Sequence, residues 1–216
     1  MVLQSSPLEI LVATRNPGKI RELNKALSRL PLKLRYLHEF PDVSTVAEVG
    51  QTYKENAVLK ALGYSKQTGI CALADDSGLE VDALGGKPGL LSARFGGEDV
   101  SDQERIEKLL AAISEHPDRK RTARFVCCMA LAGWPLNEEP TTSASHVLSI
   151  TEAKCEGLIA TSPKGPHGFG FDPVFVPEGY NRTFAELSDK VKGAISHRAL
   201  ALAAMREFLD RWLAQT

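Results

Sequence analysis

Two adjacent aspartates, Asp75 and Asp76, follow an apolar run in the stretch ICALADDSGLEVDALGGKPG, residues 70–89. A carboxylate at the end of a buried strand is costly unless a cation or hydrogen-bond donors meet it. Because consecutive residues of an extended chain point to opposite faces, both can address one ligand only if the strand turns, and Ser77 with Gly78 is the predicted turn. Two interpretations stay open: a metal or catalytic site, and aspartates that cap an ordinary turn.

Carboxylates from separate segments form the oxygen-rich kind of site that Mg²⁺ prefers, with water and phosphate oxygens completing the coordination shell. Glu48 and Glu55 are upstream acids that could join Asp75 and Asp76 in such a site. The pattern therefore favours Mg²⁺ together with a phosphate-containing substrate.

The segment TRNPGK, residues 14–19, joins an apolar run to a helix start, with Asn16 as the predicted N-cap and Pro17 as the first helical residue. Free N–H groups and the positive end of the helix dipole attract a phosphate at such a junction, and Arg15 and Lys19 add formal charge. An ordinary capped helix with surface cations is the alternative. The G-x-x-x-x-G-K spacing of a P-loop does not occur in the sequence.

The segment GFGFDPVF, residues 168–175, alternates glycines with aromatic residues. Glycines let the backbone approach a flat ligand, Phe169 or Phe171 could stack on a base, and Asp172 could accept a hydrogen bond. A core strand with a tight turn is the alternative interpretation.

The segment KVKGAISHRALA, residues 190–201, predicts a helix capped by Ser196, with Lys192, His197 and Arg198 crowding its first turn. Cations near a helix N-terminus oppose the dipole by about 0.3–1 kcal/mol. Such local misfits often lie at functional sites, where these donors could bind the exocyclic oxygen of a purine or a phosphate. A solvated helix start explains the pattern equally well.

Alternating apolar periodicities predict the elements that must position these side chains. A second helix from about residue 52 to 67 carries Asn56 and Lys60 on one face, and a third begins at the capping box of Ser101 and Glu104. Residues 122–134 and 143–160 predict two long strands of a hairpin around the turn PLNEEP. The order of elements predicts an α/β fold, with a mixed central sheet flanked by helices.

Composition limits the class of protein. The 216 residues carry 26 Lys and Arg against 27 Asp and Glu, so the chain is not a polyelectrolyte for long nucleic acid or a membrane surface. The four cysteines fall in apolar runs without paired ligand spacing, which favours small core residues in a reduced cytoplasmic protein. No signal peptide or membrane-spanning run is evident in the sequence.

Taken together and in this order, five motifs resemble the inosine triphosphate pyrophosphatase family, which cleaves non-standard purine nucleoside triphosphates. The motifs are TRNPGK, ENAVLKA, ADDSGLEVDALGGKPGLLSAR, GFGFDPVF and AISHR, and together they span nearly the whole chain. The resemblance implies one family domain over residues 1–216, an elongated mixed sheet in two lobes with a cleft between them, and a homodimer.

The resemblance also implies a role for each matching residue. Asp76 would be the catalytic base and a metal ligand, with Glu48 and Asp75 as further Mg²⁺ ligands. The residues expected to bind the substrate are Thr14, Arg15, Asn16, Pro17, Gly18, Lys19, Asn56, Lys60, Ser77, Phe169, Gly170, Phe171, Asp172, Lys192, His197 and Arg198.

Three positions depart from the family pattern. Arg15 stands where many members have Gly, Phe171 replaces a common Tyr, and Ala47 with Glu48 stands where relatives often have two glutamates. The expected reaction converts ITP, dITP or XTP and water to the nucleoside monophosphate and pyrophosphate. The rival functions are a nucleotide sensor without turnover and a pyrophosphatase for modified pyrimidine nucleotides, although the residues Ser196, His197 and Arg198 favour purines.

Overall fold

The computed structural model of the protein describes residues 7–97, 99–135 and 144–214. Its strands are Leu8–Val12 (β1), Leu32–Tyr36 (β2), Cys71–Val81 (β3), Thr122–Gly133 (β4), His146–Ile159 (β5) and Phe175–Pro177 (β6). Its α-helices are Pro17–Leu27 (α1), Tyr53–Thr68 (α2), Asp102–Ser114 (α3), Asp189–Ile195 (α4) and His197–Leu213 (α5).

The strands form a six-stranded sheet in the order β2-β1-β3-β4-β5-β6. Strand β1 is parallel to both β2 and β3, whereas β5 and β6 are antiparallel, so the sheet is mixed. Parallel neighbours need a crossover connection, and α1 provides it between β1 and β2. The predicted α/β class with a mixed central sheet flanked by helices is confirmed.

The predicted helix starts are also confirmed by their caps. Thr52 Oγ1 accepts a hydrogen bond from the Glu55 N–H at the start of α2, at 3.1 Å. At α3, Ser101 Oγ accepts from the Glu104 N–H at 3.2 Å, and the Ser101 N–H donates to Glu104 Oε2 at 2.8 Å. These two bonds complete a capping box. The bond from the Ser101 N–H, together with one from the Ser101 hydroxyl to Glu104 Oε2 at 2.8 Å, lowers the pKa of the Glu104 carboxyl.

The chain divides into two compact units. The first contains the described parts of residues 1–75, 128–151 and 201–216. In its core, Ala57, Ala61 and Tyr64 of α2 pack against the sheet. The buried sheet residues lie at alternate positions of β1 and the residue that follows it, of β3 and of β4, namely Leu11, Ala13, Ala72, Ala74, Cys128, Ala130 and Ala132. This packing fixes α2, which carries two of the predicted site residues.

The second unit contains the described parts of residues 76–127 and 152–200. Its core joins Ile106, Leu109 and Ile113 of α3 to buried residues of the strands and of the segment around β6, among them Leu79, Val81, Phe125, Cys155, Ile159, Phe171, Val174, Phe175 and Phe184. The apolar residues of α3 that recur at helical spacing thus form its inward face.

Three features differ from the sequence prediction. Strand β3 continues without a turn through Ser77 and Gly78 to Val81, so the predicted turn is wrong, and Asp75 and Asp76 do not cap one. Strand β2, with 5 residues, and helix α4, with 7 residues, were not predicted, because elements this short give few repeats of their pattern. The predicted turn PLNEEP, apart from Pro135, lies outside the described residues.

The four cysteines are free and buried, as small core residues are expected to be. Burial raises the pKa of the Cys71 thiol, and burial together with the nearby Glu156 carboxylate raises the pKa of the Cys155 thiol to about 11. Both thiols are therefore neutral near pH 7. Within the described ranges, no helix is long and apolar enough to cross a membrane.

We expect the free energy of unfolding to decrease as the pH rises from 9.0 to about 11, because Cys155 ionises near 9.0 in the unfolded chain but only near 11 in the folded one. In that window the folded state binds more protons, so raising the pH favours unfolding. Urea unfolding of the wild type and of Cys155→Ala across this range measures the effect. An identical pH dependence in the two proteins would contradict it.

Candidate active site

The start of α1 is organised by Asn16. Its Oδ1 accepts hydrogen bonds from the N–H groups of Gly18 at 2.8 Å and Lys19 at 3.1 Å, while Thr14 Oγ1 accepts from the Asn16 N–H at 3.2 Å. Pro17 has no N–H, so the expectation of free N–H groups at this helix start is wrong: the cap already uses them. Attraction of an anion here rests on the helix dipole and on cationic side chains, including the exposed Arg15.

Lys19 and Asp75 form a largely buried ion pair. Lys19 Nζ lies 2.9 Å from Asp75 Oδ2, and the side chains are only 15% and 1% exposed. A lysine from the helix start that was predicted to bind phosphate therefore helps to offset the burial of Asp75. Strand alternation separates Asp75 from Asp76, since β3 is extended at both residues.

A second ion pair joins Lys60 of α2 to Glu48 in the segment before that helix, with 2.6 Å between Lys60 Nζ and Glu48 Oε1. Asn56 holds this segment in place, because its Oδ1 accepts from the Gly50 N–H at 2.8 Å. A Cβ at Gly50 would lie 2.8 Å from Asn56 Oδ1, so the close approach requires glycine. Glu48, Asn56 and Lys60 are thus brought together at the start of α2.

Glu55, the other upstream acid, has a different role in the structure. Its Oε2 accepts from the Gln51 N–H at 2.6 Å, which closes the turn that leads into α2. With its carboxylate engaged in this local bond, Glu55 is a structural cap of the helix.

Asp76 and Ser77 lie on β3 in the second unit, and Asp76 is buried, with 7% of its surface exposed. Arg198, the second residue of α5, donates from Nη2 to Ser77 Oγ at 2.9 Å. Arg198 is itself buried, so this bond fixes its guanidinium beside the strand that carries the predicted base. The bond spans 121 residues of sequence.

Phe169 is the aromatic residue around which the predicted base-binding side chains gather. Lys192 Nζ lies 4.8 Å from the centre of its ring and the Arg198 guanidinium carbon 5.6 Å from it, both within cation–π distance. Lys192 Nζ also lies 2.6 Å from Asp172 Oδ2, in a pair whose side chains are 12% and 4% exposed. An aromatic face and two cationic donors are therefore held together.

Asp172 also shapes the glycine-rich loop, because its Oδ2 accepts from the Phe169 N–H at 2.8 Å. Gly168 has a φ of +82°, and a Cβ there would collide with the Asp172 carboxylate. Only glycine fits this position, since the backbone lies in the left-handed region and directly against a carboxylate. The loop is thus closed on a buried charge that Lys192 neutralises.

Three other predicted site residues lie in surroundings that differ from those expected. Phe171 is buried in the core of the second unit, so the structure favours Phe169 over Phe171 as the stacking residue. His197 stacks on Phe125 with 4.6 Å between ring centres, and it is buried. Lys192 does not lie in the first turn of α5 as predicted but in the last turn of α4, where a cation is favourable.

The donor set suits Mg²⁺ in its chemistry, because Asp75, Asp76 and Glu48 offer carboxylate oxygens. In the structure, however, Asp75 and Glu48 each contact a lysine. In the described part of the chain, no group of three or more His, Cys, Asp or Glu side chains is arranged to hold a metal ion. Proteins commonly bind Mg²⁺ through one or two carboxylates, and substrate phosphate oxygens and water complete its coordination.

Sequence reasoning missed one contact to the glycine-rich loop. Asp102, the first residue of α3, accepts from the Gly170 N–H through Oδ2 at 2.6 Å, and Arg105 donates to its Oδ1 at 2.9 Å. The first contact joins residues 68 positions apart. The capping box identifies the helix start, but no local pattern indicates which loop its first residue meets.

Comparison with known proteins supports the resemblance over nearly the full chain. A Bacillus cereus protein named dITP/XTP pyrophosphatase is 44% identical over 204 residues, which cover 94% of this chain and 96% of that protein. A Geobacillus kaustophilus protein of the same name is 45% identical over 199 residues, or 92% of this chain and 93% of that one.

Solved structures show the same fold. A HAM1 protein from Coxiella burnetii matches with a TM-score of 0.82 and 41% identity, covering 94% of this chain and 99% of that one. A Mycobacterium abscessus nucleoside-triphosphatase, also called dITP/XTP pyrophosphatase, matches with a TM-score of 0.69 and 42% identity, over 92% and 97%. The family model of the Ham1 family matches residues 10–208, and the chain therefore belongs to the Ham1 family.

Proposed function

We propose that this protein hydrolyses the non-standard purine nucleoside triphosphates ITP, dITP and XTP to the nucleoside monophosphate and pyrophosphate, and so removes them from the nucleotide pool. The observation that carries the proposal is the arrangement around Phe169, where Lys192 and Arg198 meet an aromatic ring and Arg198 bonds Ser77, the neighbour of Asp76. A ring on which a base could stack, two hydrogen-bond donors and a strand that carries a buried carboxylate are thereby linked. Relatives named dITP/XTP pyrophosphatase support the same substrates.

Recognition of the base rests on donors aimed at the oxygen at position six of the purine. Hypoxanthine and xanthine present an acceptor there, whereas adenine presents an amine. Lys192 and Arg198 supply N–H donors and Phe169 the stacking surface, while Asp172 and Ser77 hold those two cations in position. A base without the acceptor would leave buried donors unsatisfied, which is why a site of this kind rejects it. Gly170 belongs to the same loop, while the buried Phe171 and His197 support the binding residues next to them in sequence.

Binding of the triphosphate is assigned to residues 14–19 and to the start of α2. Lys19 and Lys60 supply fixed positive charge, and Asn56 contributes its amide. Each lysine is already held by a carboxylate, Asp75 or Glu48, and is therefore pre-oriented. The negative charge that builds up on the departing pyrophosphate would be stabilised by these cations.

Asp76 is assigned as the general base, which takes a proton from the water that attacks the phosphorus. Asp76, Asp75 and Glu48 are the residues that would hold Mg²⁺. A bound Mg²⁺ neutralises phosphate charge and polarises the attacked phosphorus. Asp76 is itself buried and lies within the extended strand β3, which fixes its backbone.

The proposal extends to the oligomeric state, the compartment and the partners of the protein. Residues 1–216 are treated as one functional domain that works as a homodimer in the cytoplasm, with Mg²⁺ and small nucleotides as its partners and without long nucleic acid. The four free, buried cysteines suit a reducing compartment. The near balance of acidic and basic residues argues against a polyanion as ligand.

The test is to incubate the purified protein and Mg²⁺ with ITP, dITP, XTP, GTP, ATP and dTTP and to identify the products. We expect pyrophosphate and the monophosphate from the first three, at rates at least about 10²-fold above those for ATP and dTTP. Release of orthophosphate would contradict the cleavage position. Nucleotide binding without turnover would favour a sensor, and preferred cleavage of dTTP would favour a pyrimidine enzyme.

A further inference from the structure

The carboxylate of Asp102 connects the first turn of α3 to the middle of the glycine-rich loop. Its Oδ2 accepts from the Gly170 N–H at 2.6 Å, which is short for an N–H···O bond and typical of a charged acceptor. Gly170 stands next to Phe169, the ring on which the base is proposed to stack. The contact therefore fixes the loop at the residue that directly follows Phe169.

Arg105 in turn fixes the orientation of Asp102. Its Nη1 donates to Asp102 Oδ1 at 2.9 Å, and its Nη2 donates to the carbonyl oxygen of Val100 at 3.1 Å. Arg105 is buried, whereas the Asp102 side chain is 51% exposed, so the rigid partner in the pair is the arginine. A chain of bonds thus runs from Val100 through Arg105 and Asp102 to Gly170.

The loop is anchored on its other side by different groups. Phe171 is buried in the core, and Asp172 accepts from the Phe169 N–H and from Lys192. Asp172 thus holds the Phe169 N–H, and Phe171 holds the chain after Gly170, whereas the N–H of Gly170 between them is held by Asp102. Without that acceptor, Phe169 would sample more orientations, and the base would bind to a less ordered surface.

We propose that Asp102, oriented by Arg105, is a positioning residue that holds the Gly170 peptide and thereby the Phe169 ring in its base-binding position. The inference rests on the proposed function, since it assigns Asp102 to the base side of that site. Asp102 contacts no substrate in this scheme. Its loss should weaken binding of the nucleoside part and leave binding of pyrophosphate unchanged.

The experiment compares Asp102→Ala with Glu104→Ala. Both remove one carboxylate from the first turn of α3, but Glu104 bonds the N-cap residue Ser101, whereas Asp102 bonds Gly170. Calorimetry with Mg²⁺ measures the Kd for IMP and for pyrophosphate, and amide hydrogen exchange follows residues 168–172. We expect Asp102→Ala to weaken IMP binding about tenfold, with pyrophosphate binding unchanged and exchange of the loop faster. Glu104→Ala should change none of these.

Asp102→Asn serves as the conservative variant, because an amide oxygen can still accept from Gly170, and it should bind IMP within about threefold of the wild type. Equal effects of Asp102→Ala and Glu104→Ala, equal loss of IMP and pyrophosphate binding, or unchanged loop exchange would overturn the inference. A wild type that binds neither IMP nor pyrophosphate would instead overturn the proposed function and this inference with it. A wild type that binds both, with no difference between the alanine variants, would overturn the inference alone.

Discussion

Replacing Asp76 with Asn is expected to lower kcat for ITP by at least about 10³-fold, because the amide cannot take a proton from the attacking water. The protein should still fold, since Asn has nearly the same shape as Asp and keeps one oxygen acceptor at this buried position. Steady-state kinetics with ITP and Mg²⁺, together with urea unfolding, measure both quantities. The combination of lost turnover and intact stability is what marks a functional residue.

Glu80→Gln is the matched control for this substitution. Glu80 lies on the same strand, β3, and loses the same charge, but it faces Arg124 at 3.6 Å in a network with Asp82 and Glu156. Glu80 lies on β3 beyond Asp76 and pairs with Arg124, not with a residue proposed to bind substrate. We therefore expect kcat to stay within about twofold of the wild type, since substitutions outside a site usually have small effects. Retained turnover in Asp76→Asn would show that another group is the base. Equal losses in the two variants would point to disruption of β3.

The two aspartates of β3 have different surroundings, and this difference separates their roles. Asp75 is held by an ammonium group at 2.9 Å, and its side chain is 1% exposed. Asp76 begins the second unit, which also contains Ser77 and Arg198. One carboxylate thus orients a lysine at the start of α1, and the other lies in the unit that carries the residues proposed to bind the base. Strand alternation produces this division without any turn.

Local patterns in the sequence were sufficient for the elements whose ends carry caps. The N-cap Asn16, the capping box at Ser101 and the cap at Ser196 each mark a helix that the structure contains. Caps act within three residues of the chain, so a single sequence shows them directly. Helix α4 has such a cap at Ser188, but its 7 residues carry too little apolar periodicity to be recognised.

Contacts between distant segments could not be predicted in the same way. The sequence placed a turn after Asp76 because Ser and Gly are common in turns, yet the packing of Leu79 and Val81 in the core keeps β3 extended. The ion pairs of Lys19 with Asp75 and of Lys192 with Asp172 depend on tertiary folding. The resemblance identified most of these residues, whereas which charges meet was visible only in the structure.

The second large effect is expected at Lys19, where two roles can be separated. As the partner of Asp75, Lys19 stabilises the fold; as a cation at the start of α1, it is proposed to hold the departing pyrophosphate. Lys19→Met removes both contributions at once. Lys33→Met is the matched control, since Lys33 pairs with Glu9 at 2.7 Å but its side chain is 56% exposed, and such pairs contribute only about 0–1 kcal/mol.

Lys19→Met should lower the free energy of unfolding by about 3 kcal/mol, because a buried carboxylate loses its ammonium partner, and should lower kcat/KM for ITP by about 10²-fold or more. The double variant Lys19→Met with Asp75→Asn removes both charges, so we expect most of the stability to return while turnover stays low. Urea unfolding and kinetics with ITP on the same preparations measure the two effects. Recovery of turnover together with stability would show that Lys19 acts only by neutralising Asp75. Asp75 is itself a proposed Mg²⁺ ligand, so the double variant is compared with Asp75→Asn alone. A stable double variant that turns over ITP more slowly than Asp75→Asn would assign the ammonium group to the triphosphate, because the loss would then exceed that of the carboxylate.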